Sequence, residues 1–230
     1  MGGDVNILAI ETATPACAVA LRTSDGFERT LVVDDERHHT EALTPGIERL
    51  LIEAGIRAKA LERIVVDRGP GLFTGLRVGV ATAIGLTLAT GAQLVAVTSL
   101  EVLAWGASSA GVRGVVVGAV DGRRGEVFTQ EFEIDEGVRA ISEATVTTPA
   151  ALVENWLARQ TTVTFSGDGA TRYEAVLREV ATAHFFDQRV PPPSEALRLG
   201  ATRDPSGDVV PLYLRDADAV ANFSTRERPS

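Results

Sequence analysis

Hydrophobic and polar positions alternate in short runs over the first part of the chain. Residues 6–11 (NILAIE) and 16–21 (ACAVAL) are apolar stretches divided by the turn-like TATP, and residues 29–34 (RTLVVD) follow a second turn at Ser24-Asp25-Gly26. Three strands joined this tightly predict an antiparallel meander. The period then changes. In residues 39–55, Leu43, Ile47, Leu50, Leu51 and Ala54 recur at helical spacing,. Pro45 leaves two starts open: Thr44, with proline at the first helical position, or near Thr40, with one hydrogen bond lost. Gly55 is a suitable stop. Residues 63–67 (RIVVD) do not alternate, which predicts a strand buried on both faces. In residues 74–91 Arg77 is the only charge. Gly71, Gly75, Gly79, Ala83 and Thr87 form a ridge of small residues at intervals of four, and Leu76, Val80, Ile84 and Leu88 a bulky one. A helix apolar all round is expected to be buried on more than one side. A strand at 94–99 and a helix at 100–109 complete this half.

The pattern then restarts. Residues 114–121 and 126–134 flank DGRRG as a hairpin, and a third strand is expected near 144–147. A helix at 149–160 is capped by Thr148, with a strand at 162–167 and a helix at 170–183 after it. Strand-strand-strand-helix-strand-helix is thus written twice, without visible sequence repetition. This predicts an α/β fold of two subdomains, residues 1–108 and 109–215, each a mixed sheet flanked by helices. Residues after Val190 read as loop-rich, and 216–230 as a flexible tail.

Composition narrows the function. A net charge of −9 over 230 residues argues against unaided nucleic-acid binding,. No stretch of about 18 apolar residues is expected to span a bilayer, and the N-terminus lacks the basic region of a signal peptide. Cys17 is the single cysteine, which excludes an internal disulfide or thiolate cluster,. These features predict a cytosolic protein without membrane contact. Lys59, the only lysine, lies in RAKAL, so a Walker-type phosphate loop is excluded,. Ser99, Ser108, Ser109 and Ser166 sit in no nucleophile-elbow context, which speaks against a serine protease. The histidines are His38, His39 and His184. Adjacent histidines on a helix point about 100° apart and make a poor metal pair, so no metal site and no catalytic residue is assigned.

ILAIETATPACAVAL, HTEALTP, RGPGLFTGLRVG, DGRRGEVF and PLYLR, in this order, resemble the TsaB family of tRNA threonylcarbamoyladenosine biosynthesis proteins, over residues 6–215. That family lies within the actin-like ATPase superfamily. The resemblance implies two actin-like (ribonuclease H-like) subdomains. It implies a non-catalytic subunit that pairs through its N-terminal subdomain with a catalytic TsaD-like relative, or with a second copy of itself. A TsaE-like ATPase would join the complex, which would contact tRNA, and ATP or ADP would bind at the level of the complex rather than tightly to the isolated chain. An ATP-dependent phosphotransferase of the same superfamily and a purely homodimeric structural protein stand as alternatives.

Each segment then has two readings. The superfamily's first phosphate turn wants Asp-x-Gly-Thr, so that backbone amides reach phosphate. Here Glu11-Thr12-Ala13-Thr14 puts a methyl where glycine should be, which reads as a degraded turn. The glycine-rich turn of Gly69, Pro70 and Gly71, leading to Thr74, Gly75 and Arg77, could hold an anion at a helix N-terminus. It could equally let the small-residue ridge approach a sheet, and the ridge favours packing. His39 and Glu41 match the family's His-Ser-Glu motif and read as helix-start polar residues or partner contacts. Leu43, Ile47, Leu50, Val80 and Ile84 are the expected core of the partner interface, although some must face the sheet. Arg123 and Arg124 form a solvated hairpin or a tRNA or partner contact. SGDGA (166–170) resembles an adenosine-side turn.

Overall fold

The computed structural model describes residues 5–34, 39–159 and 161–215. β1 (Ile7–Glu11), β2 (Ala16–Arg22) and β3 (Glu28–Asp34) form the antiparallel meander. After α1 (His39–Glu53), β4 (Arg63–Asp67) pairs parallel to β1, and after α2 (Phe73–Thr90), β5 (Gln93–Val97) pairs parallel to β4. The first sheet therefore runs β3-β2-β1-β4-β5. α1 takes the earlier of the two starts and keeps Pro45 inside. Pro45 is exposed, so the helix loses one hydrogen bond on its solvent side rather than in the core. Gly55 and Gly91, with φ of 67° and 83°, end the two helices in the left-handed conformation that favours glycine,.

α3 (Ser99–Ser109), whose first turn is capped by Thr98 Oγ1 accepting the Glu101 amide at 3.2 Å, leads into the second sheet. That sheet comprises β6 (Gly114–Arg123), β7 (Glu126–Ile134), β8 (Val138–Ala140), β10 (Val163–Ser166) and β11 (Ala183–Phe186), in the order β11-β10-β6-β7-β8. β9 (Thr145–Thr147) is the third strand expected near 144–147, and it adds to β7 beside β8. Read from the opposite end, the order repeats that of the first sheet, so the duplication is one of topology. α4 (Pro149–Arg159) starts with Thr148 Oγ1 accepting the Ala151 amide. The helix expected at 170–183 is instead two short pieces, α5 (Asp168–Arg172) and α6 (Glu174–Leu177), and Ala183 begins β11.

The residues after Val190 depart most from expectation. They contain α7 (Pro193–Thr202), which belongs with the first sheet: Ala196, Leu197 and Leu199 pack with Ile7, Ala9, Val65, Val95 and Val97. Arg63 Nη1 donates to the carbonyls of Gly200 and Arg203 at 2.6 and 2.8 Å, a cation on the last turn of α7 where the helix dipole favours it,. Alternation within β1 makes the layering legible. Leu8 and Ile10 face α1 and α2, whereas Ile7 and Ala9 face α7. The layers run α1 and α2, first sheet, α7 and α3, second sheet, then α4 to α6.

α2 corrects two expectations. It is 18 residues long with a mean hydropathy of 1.3, apolar enough by length and composition to cross a bilayer. It is also buried on one side only. Gly75, Leu76, Gly79, Val80 and Ala83 pack inward, while Ala81, Gly85, Leu88 and Ala89 are exposed. Residues 216–230, expected to be a tail, and His38 lie outside the described residues.

Candidate functional site

The turn Glu11–Thr14 emerges from β1, where a nucleotide-binding relative would present amides to phosphate, and the chain after β4 closes down on it. The Leu72 amide donates to Ala13 O at 2.7 Å, and Thr12 Oγ1 donates to Gly75 O at 2.8 Å. A β-carbon at Gly71 would overlap the Ala13 carbonyl, one at Gly75 the Thr12 carbonyl, and one at Gly79 the Thr12 hydroxyl. Three glycines, one helical turn apart, are therefore required by contact with two residues of the turn. The Gly69–Pro70 bond is cis. The glycine-rich stretch is a joint between helix and turn, its backbone seated on the carbonyls of Thr12 and Ala13. The second lobe has a similar joint, in which β-carbons at Gly167 and Gly169 would overlap the backbone of Ala119 and Val120.

Behind the first joint lie two acids. The parallel register Ile10↔Val66 sets Glu11 beside Asp67, each 2% exposed. Glu11 Oε1 accepts from the amides of Ala13 and Thr14 at 2.8 and 3.2 Å, and Asp67 Oδ1 from the Gly69 amide and the Ser99 hydroxyl at 2.7 and 2.9 Å. Glu11 Oε2 and Asp67 Oδ2 are buried with no hydrogen-bond partner. Burial, then the neighbouring Asp67 charge, raises Glu11 well above the usual carboxylate range, and burial raises Asp67 as well,. The shift favours the neutral form of Glu11 in this acid pair. Asp67 and Ser99 were not singled out from sequence as its partners. The signal was present in two neighbouring strands that each end in an acid before a turn.

The expected interface residues separate into two groups. Leu43, Ile47, Leu50 and Val80 lie in the core beneath α1 and α2, with Val80 only 4% exposed, and Ile84 packs partly against the same core. They hold the helices to the sheet and are not available to a partner. His39 is buried too, its Nε2 lying 3.0 Å from Thr14 O and 3.1 Å from Ala16 O, which fastens the start of α1 to the same turn. Glu41 and Thr44 are exposed on α1. The outward face of α2 carries Ala81, Gly85, Leu88 and Ala89, with Leu88 82% exposed. A β-carbon on Gly85 would meet nothing within 4 Å.

Between the lobes is a cleft of about 520 Å³, walled by the start of α2, the β6–β7 hairpin and the strap Leu212–Arg215. Leu212 N–H donates to Arg68 O at 2.7 Å, and Arg215 Nη1 donates to Glu126 Oε2 at 2.7 Å, so the strap ties one lobe to the other. Arg123 and Arg124, with φ of 63° and 54°, adopt a left-handed backbone that costs a non-glycine residue on the order of 1 kcal/mol or more,. They line this cleft together with Arg77. Thr74, on the first turn of α2, is exposed. Asp121 is held by Arg123 and Arg172 and accepts from the Tyr173 hydroxyl at 3.4 Å; beside it burial pushes Asp168 up to about 6. The strap was visible in sequence only as PLYLR.

Residues 34–220 match the family described as TsaD, tRNA N6-adenosine threonylcarbamoyltransferase. Over 230 aligned residues the chain is 30% identical to the tRNA threonylcarbamoyladenosine biosynthesis protein TsaB of Bacillus subtilis, covering 95% of this chain and 98% of that one. The chain belongs to the TsaB family. The TsaB protein of Escherichia coli is 36% identical over 132 residues, 57% of each chain. Among solved structures, YeaZ from Pseudomonas aeruginosa is 28% identical with a TM-score of 0.73, covering 85% of this chain and 90% of that one. A Pseudomonas aeruginosa protein described as similar to peptidase YEAZ is 27% identical with a TM-score of 0.77, covering 92% of this chain and all of that one. The expected arrangement of two mixed sheets flanked by helices is the one observed, in a fold shared with these two solved structures.

Proposed function

We propose that this chain is a non-catalytic subunit of the machinery that makes N6-threonylcarbamoyladenosine in tRNA, acting in the cytoplasm beside a TsaD-like catalytic partner and a TsaE-like ATPase. Membership of the TsaB family supports the pathway. The observation that carries the non-catalytic part is the closed joint. With Leu72 N–H bonded to Ala13 O and the amides of Ala13 and Thr14 donating to Glu11 Oε1, the first phosphate turn directs its amides to its own carboxyl group rather than to a triphosphate. The pairing surface in this reading is the outer face of α2, where small residues let a partner helix approach closely and Leu88 supplies an apolar anchor. The adjoining exposed residues of α1, Glu41 among them, form its polar rim.

The test is to mix the purified chain with a TsaD-like subunit and follow complex formation by size exclusion, and tRNA modification by nucleoside analysis. Leu88→Asp and Gly85→Arg are expected to raise the dissociation constant by about a hundredfold or more while leaving the isolated chain folded, Gly85→Arg with a small gain from helix propensity. A complex undiminished by both variants would misplace the interface. Tight heat-releasing binding of ATP and magnesium by the isolated chain would overturn the non-catalytic reading.

A further inference from the structure

The second sheet breaks its own pattern on the face covered by α4. Side chains alternate along a strand, so Val127, Thr129 and Glu131 of β7 share that face. Val127 obeys the rule for a covered face and joins the core with Val117, Leu152 and Trp156. Thr129 is polar although only 5% exposed, and Glu131 sets a carboxylate there with its side chain 14% exposed. Thr145 and Thr147 of β9 stand opposite Thr129 and Val127. Polar choices on a covered strand face are a local conflict of the kind that concentrates at functional sites. Between these strands and α4 lies a cavity of about 250 Å³, with Val117 and Leu152 among its walls. That is smaller than the pocket of a drug-sized ligand and suits a small metabolite. Its charges are of both signs. Arg159, on the last turn of α4, donates from Nη1 to Glu131 Oε2 at 2.6 Å, and its guanidinium lies 4.6 Å from the Trp156 ring centroid. Held on two sides, the guanidinium keeps its remaining fork donors for a second carboxylate. The Glu143 carboxylate and the Asn155 carboxamide also line the cavity, and neither has a hydrogen bond or ion pair among the described residues. Two carboxylates suit an ammonium and the guanidinium suits a carboxylate, two charges that an α-amino acid carries on one carbon.

We propose that this cavity binds a free α-amino acid, its carboxylate on Arg159, its ammonium between Glu131 and Glu143, and its side chain towards Asn155 and the threonine hydroxyls. The cavity shares no wall residue with the interlobe cleft. The inference rests neither on pairing through α2 nor on the non-catalytic reading, because it concerns the isolated chain and its second lobe.

Saturation-transfer NMR of the isolated full-length chain with an equimolar mixture of the standard L-amino acids tests it, followed by titration of those that respond. At least one is expected to respond. Arg159→Gln and Glu143→Gln are each expected to weaken its binding about tenfold or more. Glu143 is exposed and unpaired, so its variant keeps the fold even if the change at Arg159 does not. Glu48→Gln, on α1 of the other lobe, should behave as the wild type. The N-acetyl derivative and the primary amide of the same amino acid each lack one of the two charges, and both should bind about tenfold more weakly or worse. Silence from every amino acid, affinity unchanged in both cavity variants, an equal loss in Glu48→Gln, or undiminished binding of either derivative would overturn the proposal. None of these outcomes bears on whether the α2 variants still pair with a TsaD-like subunit.

Discussion

At Gly75 and Gly79 a single hydrogen decides whether α2 can reach its seat. An added methyl at either position would overlap Thr12, and neither α2 nor β1 can move away without opening the sheet. Alanine at Gly75 or Gly79 is expected to lower stability by about 2–3 kcal/mol, read from urea midpoints at constant slope. Alanine at Gly85, where nothing lies within 4 Å, should raise the isolated chain's stability by about 0.5–1 kcal/mol through helix propensity alone. The Glu11–Asp67 pair adds a pH dependence whose sign follows from linkage. The folded chain keeps a proton that the unfolded Glu11 releases above its ordinary value of 4.5, so stability declines as pH rises from there towards the raised folded value. In Glu11→Gln the side chain is neutral at every pH. Wild type and variant should therefore unfold alike near pH 4 and diverge, with the variant more stable, at pH 8. Parallel curves across that range would show that the Glu11 carboxyl is not raised in the folded chain.

At the scale of elements, α1 and α2 each carry an inner and an outer text. Ile47 is buried beneath α1, so Ile47→Asp is expected to cost more than about 4 kcal/mol and to unfold the first lobe. Circular dichroism would show this without any partner present. Leu88→Asp should leave the same spectrum intact. The inner text was readable, since the spacing of Leu43, Ile47 and Leu50 marked α1 and the four-spaced glycines marked a close approach. That the bulky ridge would divide, with Leu76 and Val80 inward and Leu88 outward, was not readable, because the helix is apolar all round and a hydrophobic period cannot set the boundary. The first lobe's strands were legible for a related reason: short apolar runs divided by clear turns leave few alternatives. The segment 168–186 was not, because α5 and α6 are single turns too short to show a period. α7 was hidden by the prolines and charges around it; its apolar residues make sense only against a sheet built from the other end of the chain. Among site residues, the degraded turn and the packing role of the glycines could be argued from Ala13 and the ridge. The acid pair and the arginine cleft needed register and folding to bring Asp67 to Glu11 and the Arg123–Arg124 hairpin to Arg77.

At the scale of the molecule, the two lobes are bound by shared parts as well as by a linker. α3 leaves the first sheet to pack on the second, α7 returns from the second to cover the first, and the strap continues across both. A chain truncated after Val190 is expected to be insoluble or to bind hydrophobic dye, because Ile7, Ala9, Val65 and Val95 would lose their cover. A well-dispersed, protected amide spectrum from that fragment would contradict this. Synthesis from the N-terminus makes the point sharper. β1 leaves the ribosome well before the helix that roofs it. The lobe encoded second holds all its own layers apart from α3, already made, and can close while its elder neighbour still waits. Maturation of the first lobe is thereby tied to the synthesis of α7, and a chain that stops short of it carries an open greasy sheet.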